Sequence, residues 1–238
     1  MKIAILLPGQ PRFTGDFTTV LNNLQGYDHA DWFCYMTNNS RIDDITPGVQ
    51  ILNSWKSFTV DWAINKLQSN LPPNNYVQAF EISDCEEIEI PSVPRQSHYK
   101  GWYNLYKANQ LRLEYQKKTG VQYDIVIRVR ADGCLNTPLN LKTIDPIQLT
   151  NSIIMSENYW EGVNELKSSD QFAISSSDHM TIYAKLVNDV KGYIDENLFN
   201  YHPEALLALH LQRNNISTVK GKFTIGLRQH PVEPEKWN

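Results

Sequence analysis

The sequence predicts an α/β fold: a central, mostly parallel β-sheet flanked by helices. Three observations predict it. Runs such as Lys2–Leu7 and Ile125–Val129 are apolar or β-branched almost throughout, rather than alternating with polar residues, as in strands buried on both faces. Segments with helical spacing stand between such runs, so strands and helices alternate along the chain. No internal repeat, low-complexity tract or convincing linker interrupts the 238 residues, and the expectation is one domain over residues 1–238.

Taken in order, Lys2–Leu7 is the first strand, stopped by Pro8-Gly9. Phe17, Val20, Leu21 and Leu24 recur at helical spacing before Gly26, and Asp31–Thr37 is a second strand. Residues 38–50 are polar loop, where the Asp43-Asp44 pair reads as solvated rather than metal-binding. An irregular helix carries Trp62 and Leu67, Pro72-Pro73 ends it, and Tyr76–Ile82 is a third strand. The acidic run Glu81, Asp84, Glu86, Glu87 and Glu89 reads as an exposed face. The strongest helix spans about residues 97–118, with Trp102, Leu105, Tyr106 and Leu113 on one face and Gly120 as its stop. Its many tyrosines read mainly as core packing, and Lys100 and Lys107 face either solvent or an anion. Residues 135–146 read as loop, Ser152–Ser156 as a strand and 157–169 as a polar-aromatic loop. Asp170–Ser175 is a strand opening on a carboxylate and an amide. A helix bearing Ile182, Leu186, Val187 and Val190 follows, capped by Ser177 or Asp178. Another helix opens at Pro203-Glu204, and Phe223–Leu227 is the last strand.

Composition narrows the function. With 41% hydrophobic residues, 20% charged and a net charge of −4, the chain is not built to hold nucleic acid by bulk electrostatics. A local basic pocket for a diphosphate remains compatible with that balance. Cys34, Cys85 and Cys134 form neither a zinc motif nor a disulfide framework, and Cys34 and Cys134 read as buried thiols. The apolar run Ile3–Leu7 is too short for a signal peptide and ends in Pro-Gly-Gln. No run approaches the roughly 20 residues that span a bilayer. The expectation is a cytoplasmic protein without an integral membrane segment, in which the sequons at Asn38 and Asn215 are chance matches.

The most informative stretch is Tyr123–Gly133. Its apolar strand runs into Arg128, Arg130 and Asp132, which share one parity and so one face of an unbroken strand. Charges at the carboxyl end of a central strand are poor core material, and that edge is where α/β proteins place ligands. Two readings stand: a site with phosphate-facing arginines and a metal-binding carboxylate, or an internal Arg–Asp ion-pair network. The loop Pro8-Gly9-Gln10-Pro11-Arg12 matches neither a P-loop nor a dinucleotide fingerprint. It is either a plain turn or a place where a ligand meets backbone at Gly9 and a guanidinium at Arg12.

Four segments taken together resemble a family of small bacterial and viral glycosyltransferase-like proteins of the GT-A (nucleotide-diphospho-sugar transferase) superfamily. They are the Gly9-Gln10-Pro11-Arg12 loop, the Tyr123–Asp132 strand with its preceding aromatic helix, Asp170-Gln171-Phe172, and Pro203-Glu204. The resemblance implies a GT-A-like, Rossmann-like domain holding a nucleotide-diphosphate sugar donor and a divalent metal, Mn2+ or Mg2+. Pro8, Gly9, Gln10 and Arg12 would line the nucleotide pocket, and Arg128 and Arg130 would lie near the diphosphate. Asp132 would stand where GT-A enzymes carry Asp-x-Asp, but Gly133-Cys134 follow it and the second acid is missing. His230 is then either a late second metal ligand or a surface or capping histidine.

The implied chemistry is transfer of a sugar to a glycan, lipid-linked or protein-linked acceptor. Charge grows on the leaving diphosphate and must be met by metal or arginine. If configuration inverts, a carboxylate takes the acceptor proton; Asp170 is the first candidate base and Glu204 the second. Their bland alternatives are a strand-end or acceptor-binding residue and a helix first-turn acid. A catalytically impaired nucleotide- or carbohydrate-binding protein of the same fold is the alternative function, favoured by the incomplete acidic motif. A nucleotidyltransferase is disfavoured, because the loop after the first strand lacks a glycine-rich basic signature.

Overall fold

The computed structural model describes residues 1–9, 23–38, 60–84, 96–130, 133–157, 160–161, 167–196 and 203–227. In chain order its strands are β1 (Lys2–Gly9), β2 (Leu24–Gln25), β3 (His29–Asn38), β4 (Asn75–Asp84), β5 (Ile125–Val129), β6 (Gly133–Leu135), β7 (Leu139–Asn140), β8 (Ser152–Met155), β9 (Trp160–Glu161), β10 (Lys167–Ser168), β11 (Phe172–Ser175), β12 (Ser217–Lys220) and β13 (Ile225–Leu227). The α-helices are α1 (Val60–Asn70), α2 (Gln96–Thr119), α3 (Pro146–Asn151), α4 (Ser177–Ala184), α5 (Leu186–Asp195) and α6 (Pro203–Arg213).

Seven strands form the central sheet in the order β12-β8-β11-β5-β1-β3-β4. The pairs β12/β8, β5/β1, β1/β3 and β3/β4 are parallel, and β11 alone runs against both its neighbours. The sheet is therefore mostly parallel, as the apolar runs predict. All five residues of β5 are buried, and successive residues serve opposite faces. Ile125, Ile127 and Val129 join the core with Ile3, Ile5, Trp32 and Phe172, under α1, α3 and the small strand pairs. Val126 joins the opposite core with Leu6, Phe33 and Ala173, under α2, α4, α5 and α6. Arg128 shares the parity of Val126, so a cation occupies an apolar row beneath that second helical layer.

Several elements depart from the sequence expectations for identifiable reasons. The helix expected through Ile182 and Val190 is two helices meeting at Lys185. The Ile182 carbonyl, which an unbroken helix would give to Leu186, instead accepts from Lys185 N at 2.9 Å and His210 Nε2 at 2.8 Å. The first of the two is capped by Ser176, whose Oγ accepts from His179 N. The expected loop over 135–146 contains β7, a 3₁₀ turn at Leu141–Thr143 and the start of α3, capped by Asp145 ahead of Pro146. Within 157–169, β9 and β10 pair with each other. The last strand is confined to Ile225–Leu227 and pairs with β6 outside the central sheet, whose edge strand β12 has no clear signal in sequence. Leu24 lies in β2 rather than a helix, while Phe17, Val20 and Leu21 fall outside the described residues. Gly120 stops α2 as expected, at φ 75°, with its N–H donating to Gln116 O at 2.8 Å. Among the described residues no helix is long and apolar enough to cross a membrane.

Candidate functional site

The sheet order places a topological switch point between β1 and β5. From β1 the chain builds outward through β3 and β4, then returns through α2 to lay β5 on the other side of β1. In open α/β sheets, ligands bind in the crevice outside the carboxyl ends of strands at such a point. Here β1 ends at Gly9, with φ 135°, a conformation reserved for glycine. Among the described residues no atom lies within 4 Å of where a Cβ on Gly9 would stand.

The reversed strand brings acids to the same edge. Phe172 pairs with Val129, and Arg130 N donates to Gln171 O at 3.3 Å, so Asp170 and Gln171, which stand just ahead of β11 rather than in the expected strand, lie beside the end of β5. Glu204, in the first turn of α6, arrives next to them because Ser168 Oγ donates to the Glu204 carbonyl at 2.6 Å. The Tyr183 phenol reports the resulting cluster. Burial pushes its pKa up most, Arg128 pulls it down, and Asp170 and Glu204 push it up, so one cation and two acids act on one buried hydroxyl. That hydroxyl donates to Ser169 O at 3.3 Å. Ser169 Oγ accepts from Gln171 N at 3.3 Å and from Ser156 Oγ at 3.2 Å, fixing the backbone on both sides of Asp170.

Two buried arginines on the same face of the sheet show what distinguishes the site. Arg112 is 0% exposed and fully satisfied. Its Nε and Nη2 bond Asn109 Oδ1 at 3.0 and 2.8 Å, Nη2 also bonds Thr181 Oγ1 at 2.8 Å, and Nη1 bonds Ser177 Oγ at 2.5 Å and Gln116 Oε1. It ties α2 to α4, and burial draws its pKa down to about 10. Arg128 is 7% exposed, yet its Nε and Nη1 are buried without a hydrogen-bond partner among the described residues. Leaving buried donors unmade costs about 1–3 kcal/mol each, a cost proteins rarely carry without a use.

A second unsatisfied group lies across Gly9. Asn104, on α2 and 2% exposed, donates from Nδ2 to the Gly9 carbonyl at 3.3 Å and to Thr37 Oγ1 at 3.1 Å. A carbonyl can only accept, so the amide orientation is set and Oδ1 is left as a buried acceptor with no partner. Nearby in sequence, Lys107 Nζ stands 5.6 Å from the centroid of the Tyr35 ring, a cation–π contact that accounts for one of the two lysines left open by sequence.

Of the expected site residues, Pro8 and Gly9 end β1, and Arg128, Arg130, Asp170 and Glu204 gather at the same sheet edge. Gln10, Arg12, Asp132 and His230 lie outside the described residues. Both expected metal ligands are in that group; among the described residues no cluster of three or more His, Cys, Asp or Glu could hold a metal ion. Cys34 is a buried thiol as expected, and burial pushes its pKa up; the side chains of Cys85 and Cys134 are outside the described set. Sequence reasoning missed Asn104 and Tyr183. The available signal for Asn104 was its place in the buried stripe Asn104–Ala108–Arg112, where an apolar residue is the default. No protein-family model matches this chain, and no curated protein matches it.

Proposed function

We propose that the chain is a glycosyltransferase that moves a sugar from a nucleotide-diphosphate sugar to a glycan, lipid-linked or protein-linked acceptor, within a GT-A-like domain. The observation that carries this reading is Arg128, a buried guanidinium near the carboxyl end of β5 whose Nε and Nη1 have no hydrogen-bond partner among the described residues. Such a group calls for an anion with several acceptor oxygens, and a diphosphate supplies them. The two acids beside it then have a role. In an inverting transfer the acceptor oxygen attacks the anomeric carbon, the bond from that carbon to the phosphate oxygen breaks, and its electron pair leaves on the nucleoside diphosphate. Arg128 offsets the charge that grows there, and Asp170 takes the acceptor proton, with Glu204 the second candidate base. Manganese or magnesium enters this reading only through Asp132 and His230.

A thermal-shift panel of UDP, GDP, CMP and dTDP sugars, with and without manganese, tests the donor. A ligand bound only by the native state must raise the unfolding midpoint. A panel in which no nucleotide raises it refutes the reading. Asp170→Asn should then cut transfer by roughly 100-fold or more while donor binding persists, the usual scale for a lost general base. The gap after Asp132, where Gly133-Cys134 stand, favours a second reading as a binding protein without catalysis. Donor stabilisation without any transfer by the wild-type protein would support that reading.

A further inference from the structure

Along the carboxyl edge of the sheet the polar groups stand in a fixed order. Asp170 and Glu204 lie at β11 and α6, Arg128 on β5, Gly9 on β1, and Thr37 with Asn104 at β3. Neighbouring strands are about 4.8 Å apart, so β5 to β3 spans roughly 10 Å. Among the described residues, two groups on this line that carry unmet hydrogen-bonding atoms have opposite demands. Arg128 needs acceptors, and Asn104 Oδ1 needs a donor.

A nucleotide-diphosphate sugar is itself linear: glycosyl group, two phosphates, ribose, base. Resting on the proposed transfer, the anomeric carbon belongs beside the acids and the diphosphate at Arg128. The nucleoside end then runs past Gly9, where no described atom stands within 4 Å of a Cβ position, toward β3. We propose that Asn104 is a specificity-determining residue for that end, its Oδ1 accepting a hydrogen bond from a ribose hydroxyl or a ring N–H of the base. Thr37 Oγ1 and the Gly9 carbonyl orient the amide by holding Nδ2, so the acceptor is aimed before the ligand arrives. A site built this way rejects analogues without the donor, because Oδ1 is then left buried and unpaired.

The test measures binding of UDP, GDP, CDP, dTDP and inorganic pyrophosphate to the wild type, Asn104→Ala and Arg128→Met. Asn104→Ala should weaken the nucleoside diphosphate that binds by about tenfold or more and leave pyrophosphate unchanged, whereas Arg128→Met weakens both. Equal losses for pyrophosphate and nucleoside diphosphate in Asn104→Ala, or no loss, overturn the assignment. With UDP and GDP sugars measured alongside, a loss confined to the sugar nucleotides also overturns it, because it would put the glycosyl group at Asn104. On the wild-type protein, 2′-deoxy, 3′-deoxy and base-N-methyl forms of UDP and GDP separate the ribose source from the base source without needing any variant to fold. If neither modification lowers affinity, Asn104 reads no nucleoside donor. Thr37→Val, which removes one bond to Nδ2 and leaves Oδ1 in place, should shift the affinities far less than Asn104→Ala. If wild-type protein binds none of these probes, the transfer reading falls first.

Discussion

Replacing Arg128 with methionine should make the ligand-free protein more stable. The guanidinium is 7% exposed, Nε and Nη1 have no partner among the described residues, and two unmet buried donors cost about 1–3 kcal/mol each. Asp170 and Glu204 act on the same Tyr183 phenol as Arg128, and opposite charge at that edge is taken to offset part of that cost. Methionine fills a similar length with no donors, and we expect a net gain of about 1–3 kcal/mol. For a chain of this size that is a rise of about 2–4 °C per kcal/mol. The same substitution at Arg112 has the opposite sign. It strips partners from Asn109, Gln116, Ser177 and Thr181 and should cost about 3–5 kcal/mol. Urea unfolding of both variants, with unchanged m-values, reads the two effects directly. If Arg128→Met destabilises the protein as Arg112→Met does, Arg128 belongs to an internal ion-pair network and the anion-site argument fails.

Two further outcomes follow from local geometry. Burial holds the pKa of His210 below the usual imidazole range, against the weaker upward pulls of the Ile182 carbonyl and of Asp189 at 3.5 Å. The unfolded chain therefore takes up that proton first as pH falls; the stability His210 contributes is whole above about pH 6.5 and is lost as pH drops through its lowered folded value. Urea midpoints taken from neutral pH down to about pH 5 should fall in the wild type and fall less in His210→Gln, which keeps a donor for the Ile182 carbonyl. Equal slopes would remove His210 from the account. Gly9→Ala should cost about 1–3 kcal/mol through backbone strain alone, since φ is 135° and nothing described stands where the Cβ would go. Gly101→Ala, inside α2 with equally open space, should instead stabilise by about 0.5–1 kcal/mol. Matching signs in the two variants would contradict the strain argument.

What could be read from sequence follows the range of the forces involved. The buried strand Ile125–Val129 announces itself because every position but Arg128 is apolar, and that exception points to the site. The long helix α2 and its stop at Gly120 are local patterns too. Asn104 is different: its unmet acceptor exists because Nδ2 is held by groups 95 and 67 residues away. Nothing in its neighbours along the chain encodes that. The break at Lys185 is equally non-local, since His210 takes the carbonyl that an unbroken helix would use. The direction of β11 was also out of reach, because a four-residue buried strand reads the same in either sense.

That direction decides what the sheet's carboxyl edge can do. Had β11 run parallel to β5, Asp170 and Gln171, just ahead of it, would stand at the amino edge, away from Arg128. The amino edge already has a buried acid, Asp31, and it is closed: Tyr123 OH and Gln78 Nε2 each bond it at 2.7 Å, and His29 Nε2 lies at 2.6 Å. At the carboxyl edge, donors on Arg128 and an acceptor on Asn104 have no partner among the described residues. The same sheet thus buries charge at both ends and satisfies it at only one. Since an unmet buried polar group lowers stability, the open end is the one for which a ligand gives a physical reason.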